Sequence, residues 1–182
     1  MALPTQYEWL NKESGPAMLT EALKLFGTVE ALGPLNNPAI IAWAKEIGGN
    51  VEKIYKADEI PWCALFIAVI AKRSGNELVK DPLWALNWGT FGVHSDVPML
   101  GDVMVFVRKT ADGKKAGHVA LYVGEDATSY HVLGGNQSDC VCITRLLKTR
   151  LYTSRRPAYQ IQAPNIRVVS LASSGKVSVD EA

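Results

Sequence analysis

The sequence predicts an α+β fold in which N-terminal helices pack on a C-terminal antiparallel sheet. Apolar residues recur at helical spacing in the first half of the chain. From Gly101 onward the chain changes to short segments rich in β-branched residues, separated by turn residues. Closely spaced strands indicate an antiparallel meander, here of about five strands, and helices that precede the strands indicate segregated layers.

Three helices are predicted before the sheet. The first covers residues 16–26, which carry an apolar stripe at helical spacing. The second begins after Asn37 and ends at the Gly48-Gly49 pair, because asparagine and glycine are typical at these two helix ends. The third begins near Pro61, whose missing N–H suits a first helical turn, and continues through the apolar run of residues 64–71.

Five strands are predicted after the helices, with a turn at Asp112-Gly113 between the first two. A short helix and a loop are expected at residues 81–93. We expect one domain over residues 1–160 and a C-terminal tail, packed in part, over residues 161–182. The predicted strands cover residues 102–107, 118–123, 129–133, 141–146 and 155–159.

Composition narrows the class of protein. A chain of 182 residues suits one domain, and 48% hydrophobic with 20% charged residues is ordinary for a soluble globular protein. A net charge of +1 argues against a basic nucleic-acid-binding surface, and no apolar stretch is long enough for stable membrane insertion. The N-terminus lacks the pattern of a secretory signal peptide, so synthesis in the cytoplasm with reduced thiols is expected.

One cysteine and one histidine suggest nucleophilic catalysis. Cys63 lies at the predicted start of a buried helix, where a thiol is activated, although it could also be a small core residue. A cysteine hydrolase needs an imidazole base and a polar group that orients it. His118 follows Gly117 at the start of a strand, and Asn136 follows two glycines, so that its side chain could accept a hydrogen bond from His118.

This order of residues resembles the papain-like cell-wall amidases and endopeptidases of the NlpC and CHAP groups, and most of all a phage-associated branch. The resemblance covers about residues 15–160 and implies that Cys63 is the nucleophile and His118 the general base. The matching pieces are Pro61-Trp62-Cys63-Ala64, Gly101-Asp102-Val103, Gly117-His118-Val119 and Leu133-Gly134-Gly135-Asn136-Gln137.

The resemblance leaves two candidates for the third catalytic residue. CHAP members often carry a Glu with an Asn two positions later; Gly134 stands in place of the Glu, and Asn136 matches the Asn. NlpC members often carry a second histidine, which points to His131. We predict Asn136, because it belongs to the Leu-Gly-Gly-Asn-Gln string of the branch.

Other residues receive weaker expectations. Trp62, Trp88 and Gln137 are predicted to contact substrate, although Trp62 and Trp88 could instead be core or helix-packing residues. Asp58 and Glu59 precede the cysteine where some CHAP enzymes bind calcium, but we expect them to be solvated or to cap the helix. No cofactor or metal is expected. One alternative hypothesis is a zinc hydrolase that binds its metal through Cys140, Cys142, His118 and His131.

The resemblance implies a peptidoglycan hydrolase that cleaves an amide bond of the stem peptide, as a cysteine endopeptidase or an N-acetylmuramoyl-L-alanine amidase. A phage or prophage endolysin, released to act on the wall in the periplasm, fits best. The alternatives are an injected antibacterial effector, paired with an immunity protein, and a non-catalytic module that binds wall peptide. Bacterial peptidoglycan is the expected partner, and no nucleic acid is expected.

Overall fold

A six-stranded antiparallel sheet forms one layer of the computed structural model, which describes residues 1–109, 115–173 and 177–178. Four consecutive strands form the predicted meander, and the last strand returns to pair with the first long one. The strands are β1 (Val93–His94), β2 (Val103–Lys109), β3 (Lys115–Glu125), β4 (Ser129–Gly134), β5 (Cys142–Leu147) and β6 (Leu151–Arg156), in the order β1-β6-β2-β3-β4-β5.

The predicted α+β class and the antiparallel sheet are confirmed, with differences at one edge. The short strand β1 begins at Val93, the last residue of the segment 81–93 for which a short helix and a loop are predicted. The last predicted strand, at residues 155–159, is instead β6 and ends at Arg156. Both differences arise because β1 and β6 pair across more than 50 residues of chain, and such a pairing leaves no local sequence signal. The predicted turn at Asp112-Gly113 lies outside the described residues.

Four α-helices precede the sheet, one more than predicted. They are α1 (Ala17–Lys24), α2 (Pro38–Ile47), α3 (Gly49–Ile54) and α4 (Cys63–Arg73). Asn37 caps α2 by accepting a hydrogen bond from the N–H of Ala39 at 2.8 Å. Gly48 ends α2 in a left-handed conformation, as predicted, and α3 begins at the next residue. Within the described residues, 3₁₀ helices cover Thr5–Lys12, Ala85–Thr90 and Lys148–Arg150.

Helix α4 lies at the centre of the main core. Every residue from Cys63 to Ala71 is buried, because α1 and α2 pack on one side of α4 and strands β3 and β4 on the other. The sheet is buried on both faces: along β2, Val103 and Val105 face the main core, while Met104 and Phe106 join a smaller cluster on the opposite face. This packing holds the first residue of α4 in a constant position relative to β3.

The C-terminal segment, predicted to be a partly packed tail, contacts the sheet where the structure describes it. The Glu125 N–H donates to the Val169 carbonyl at 2.8 Å, and the Leu171 N–H donates to the Glu125 carbonyl at 2.8 Å. Arg167 forms an ion pair with Glu13 at 2.6 Å. Residues 165–171 therefore tie the end of β3 to the N-terminal segment. None of the described helices has the length and apolar character needed to cross a membrane.

Candidate active site

Cys63 is the first residue of α4, so the helix begins two residues after Pro61, near which the sequence predicted its start. Trp62 occupies the N-cap position but does not cap the helix through its side chain, and the first intrahelical bond joins the Phe66 N–H to the Trp62 carbonyl at 2.9 Å. The N–H groups of this first turn point out of the helix end, where the helix dipole favours negative charge. Cys63 lines a cleft of about 510 Å³ and keeps 7% of its surface exposed. The start of a helix is one of the positions at which proteins stabilise a cysteine thiolate.

His118 lies on β3, directly after Gly117, which lines the same cleft as Cys63. The His118 Nε2 atom is 3.0 Å from Oε1 of Gln137. The amide nitrogen of Gln137 fixes the orientation of the side chain, since Nε2 donates to the Cys142 carbonyl at 2.6 Å and to the Val132 carbonyl at 3.3 Å. Because the amide oxygen only accepts, the hydrogen bond places the His118 proton on Nε2. Nδ1 is then the nitrogen that can take a proton.

The two glycines before Asn136 connect the histidine to the start of α4. A Cβ atom on Gly135 would lie 2.7 Å from Phe66 Cβ and 2.8 Å from Trp62 Cε3, so only glycine fits this close approach. A Cβ atom on Gly134 would lie 2.9 Å from the Gln137 Oε1 atom that bonds His118. The turn of residues 134–137 therefore packs against the helix that begins with Cys63, and it also fixes the orientation of the His118 imidazole.

Asn136 does not make the hydrogen bond that we predicted. Its Oδ1 atom is buried and has no hydrogen-bond partner in the described part of the chain, whereas the next residue, Gln137, bonds His118. The physical reason is the turn itself: Asn136 has a left-handed backbone with φ 55°, which redirects the chain so that the following side chain reaches the imidazole. Gln137, predicted to contact substrate, is instead the residue that orients His118.

His131, the alternative third residue, belongs to a separate buried cluster. Its Nε2 donates to Asp126 Oδ2 at 2.9 Å, and its Nδ1 accepts from the Tyr7 hydroxyl at 2.6 Å, while Arg145 also donates to Asp126. Burial lowers the pKa of His131. Burial opposes ionisation of Asp126, but hydrogen bonds from Thr128, His131 and Arg145 outweigh it and hold the pKa of Asp126 below its usual range. The contacts of His131 tie the N-terminal segment to the sheet.

The two tryptophans that we predicted to contact substrate are core residues. Trp62 is fully buried and donates from Nε1 to Glu30 at 2.9 Å, and Trp88 is fully buried and donates to the Pro82 carbonyl at 3.0 Å. Trp84 lines the cleft instead and is 72% exposed. The sequence does not distinguish Trp84 from Trp88, because both lie in one short segment and only packing decides which one points inward.

The remaining predictions concern two possible metal sites, a calcium site that includes Asp58 and a zinc site that includes Cys140 and Cys142. Asp58 is neither solvated nor a cap of α4: it is buried and accepts hydrogen bonds from the N–H groups of Ala31 at 2.9 Å and Asn37 at 2.7 Å. Burial raises the pKa of Cys140, and it raises that of Cys142 to about 11. Among the residues that the structure describes, no group of three or more His, Cys, Asp or Glu side chains could hold a metal ion.

Comparisons with protein-family models, with curated proteins and with solved structures found no match to this chain. The assignment of a function therefore depends on the motifs and on the geometry around Cys63, His118 and Gln137.

Proposed function

We propose that the protein is a papain-like cysteine hydrolase that cleaves an amide bond of the bacterial cell-wall peptide. The observation that carries the proposal is the hydrogen bond between His118 and Gln137, which leaves Nδ1 as the basic atom of the imidazole. The strand that bears His118 and the helix that begins with Cys63 meet at one cleft, through Gly117 and Cys63. A thiol at a helix start, an imidazole and an amide that orients it are the groups that cysteine acyl transfer requires.

In the proposed reaction, Nδ1 of His118 takes the proton of the Cys63 thiol. The thiolate attacks the carbonyl carbon and a C–S bond forms, while the carbonyl oxygen becomes negatively charged. His118 returns the proton to the amide nitrogen, the C–N bond breaks, and the amine leaves. Water, deprotonated by His118, then hydrolyses the thioester and regenerates the thiol.

The start of α4 supplies the positive potential that this reaction needs. The N–H groups of its first turn face the helix end at Cys63, and the oxyanion of the tetrahedral intermediate can accept hydrogen bonds there. No acidic side chain lies in this first turn, so no carboxylate there opposes the developing negative charge.

The cell-wall substrate is supported by the four sequence motifs rather than by the geometry. The PWC motif contributes Cys63, the GHV motif contributes His118, and the LGGNQ motif contributes the turn that carries Gln137. The same motifs support the endolysin role over the injected effector, since the pattern is that of a phage-associated branch. They are common to amidases and endopeptidases, so the bond that is cut has to be measured.

The test is digestion of purified sacculi with the purified protein, followed by mass spectrometry of the soluble fragments. Wild type should release fragments with new amino termini, and their masses identify the bond. Cys63→Ala should release none, while Ile161→Ala, a change at a residue that is 90% exposed and does not line the cleft, should match wild type. Equal release by wild type and Cys63→Ala would exclude Cys63 as the nucleophile.

A further inference from the structure

The cleft beside Cys63 is lined mainly by apolar side chains from several elements. We call it the Trp84 cleft. Its polar lining residues, Asn50, Asp81 and Lys115, are all exposed and lie at the rim. The larger apolar side chains of the lining include Ile54, Ile60, Leu83, Trp84 and Leu86. A volume of about 510 Å³ is within the range of small-ligand sites, and apolar walls with few polar groups are typical of such sites.

Two large side chains of this cleft stay exposed although the protein has an extensive core. Trp84 is 72% exposed and Ile54 is 63% exposed, and they lie on different elements of the cleft lining. Burial of an aromatic ring is among the most favourable single contributions to folding, so an exposed tryptophan at a concave site is typical of binding surfaces. The neighbouring Trp88 is fully buried, so the segment itself is well packed.

The walls of the Trp84 cleft are held in place before any ligand binds. Asn87 donates from Nδ2 to the carbonyls of Lys80 and Asp81, each at 3.1 Å, and Trp88 donates to the Pro82 carbonyl. A Cβ atom on Gly117 would lie 2.8 Å from Leu86, so this wall packs directly on the residue before His118. The apolar surface and the candidate catalytic residues are therefore parts of one rigid arrangement.

We infer that the Trp84 cleft is the subsite that binds an alkyl group of the substrate, such as the alanyl side chains that a cell-wall peptide offers, beside the carbonyl that Cys63 attacks. The inference rests on the proposed role of Cys63 as nucleophile, but not on the cell wall as its substrate. A sugar or a charged side chain would find few polar partners inside the cleft, because the polar groups lie at its rim. Trp84 is the main contact, since it offers the largest exposed apolar area in the lining.

The test is the alkylation of Cys63 by iodoacetamide and by N-hexyl iodoacetamide. In both reactions the thiolate displaces iodide and a C–S bond forms; only the apolar chain differs. The rate constant at Cys63 is measured by peptide mass spectrometry, and N-acetylcysteine in the same solution gives the intrinsic reactivity of each reagent. Each methylene that leaves water strengthens binding roughly fourfold. The rate constant for the hexyl reagent divided by that for iodoacetamide should therefore be about tenfold or more higher at Cys63 than at N-acetylcysteine.

Three variants make the test specific to the cleft. Trp84→Ala and Ile54→Ser should each reduce the preference for the hexyl reagent, and thermal unfolding checks that both are folded. Ile161→Ala, which also removes an exposed apolar side chain but lies outside the cleft lining, should keep the preference. The inference is overturned if Cys63 shows the same ratio as N-acetylcysteine, if neither cleft variant changes the ratio, or if Cys63 reacts with neither reagent. Failure of the proposed cell-wall function is a separate result, namely that wild type releases no fragments from sacculi.

Discussion

Replacement of Gln137 by alanine tests the geometry around the imidazole most directly. The side chain is 2% exposed and makes hydrogen bonds to His118, Val132 and Cys142. Each of these three bonds contributes about 0.5 to 1.5 kcal/mol, so Gln137→Ala should lower the free energy of unfolding by about 1.5 to 4.5 kcal/mol. Loss of the orienting bond should lower turnover by about 10- to 100-fold, since orientation accounts for part of acid–base catalysis.

The assay compares sacculus hydrolysis rates with urea unfolding curves of the same preparations, at a temperature where each variant is folded. Asn136→Gly is the matched control, because glycine readily adopts the left-handed conformation of this position and the Asn136 oxygen has no partner among the described residues. Its turnover should stay above that of Gln137→Ala by about the same 10- to 100-fold. The reasoning is refuted if Asn136→Gly loses more turnover than Gln137→Ala.

Three further predictions concern the proposed catalytic pair, the buried histidine His131 and the pH dependence of stability. Cys63→Ala and His118→Ala should each abolish hydrolysis, and the double variant should be no slower than either, because the two act as one unit; multiplied losses contradict this. His131→Ala should lower the free energy of unfolding measured in urea by about 2 to 4 kcal/mol, because Tyr7 and Asp126 each lose a buried hydrogen-bond partner. The folded variant should retain turnover, and a folded but inactive variant would make His131 catalytic. The pKa values of His131 and Asp126 are lower in the folded chain than about 6.5 and 3.9 in the unfolded one, so the unfolded chain binds protons first. The unfolding free energy should therefore fall as pH drops below about 6.5, and further below about 4; a flat profile contradicts this.

Part of the candidate site was predictable because its signals are local. An apolar run after Pro61 is long enough for a buried helix whichever way the rest of the chain folds, and this puts Cys63 at the helix start. A glycine followed by a histidine and an apolar run that includes Val119 and Val123 likewise predicts a strand that begins near His118. The choice between Asn136 and Gln137 was not predictable, because it depends on the φ angle of a single residue between two packed elements.

The sequence by itself determined that helices precede the strands and that a buried helix begins close to Cys63, because helix ends and strand propensity act over a few neighbouring residues. It also identified Cys63 and His118 as the candidate nucleophile and base. Tertiary structure decided which groups meet. The contacts of Gln137 with His118, of His131 with Tyr7 and of Leu86 with Gly117 each join residues that lie 19 or more positions apart. Tertiary structure also left Trp84 exposed while it buried Trp88, whose ring packs against Phe91 and donates to the Pro82 carbonyl.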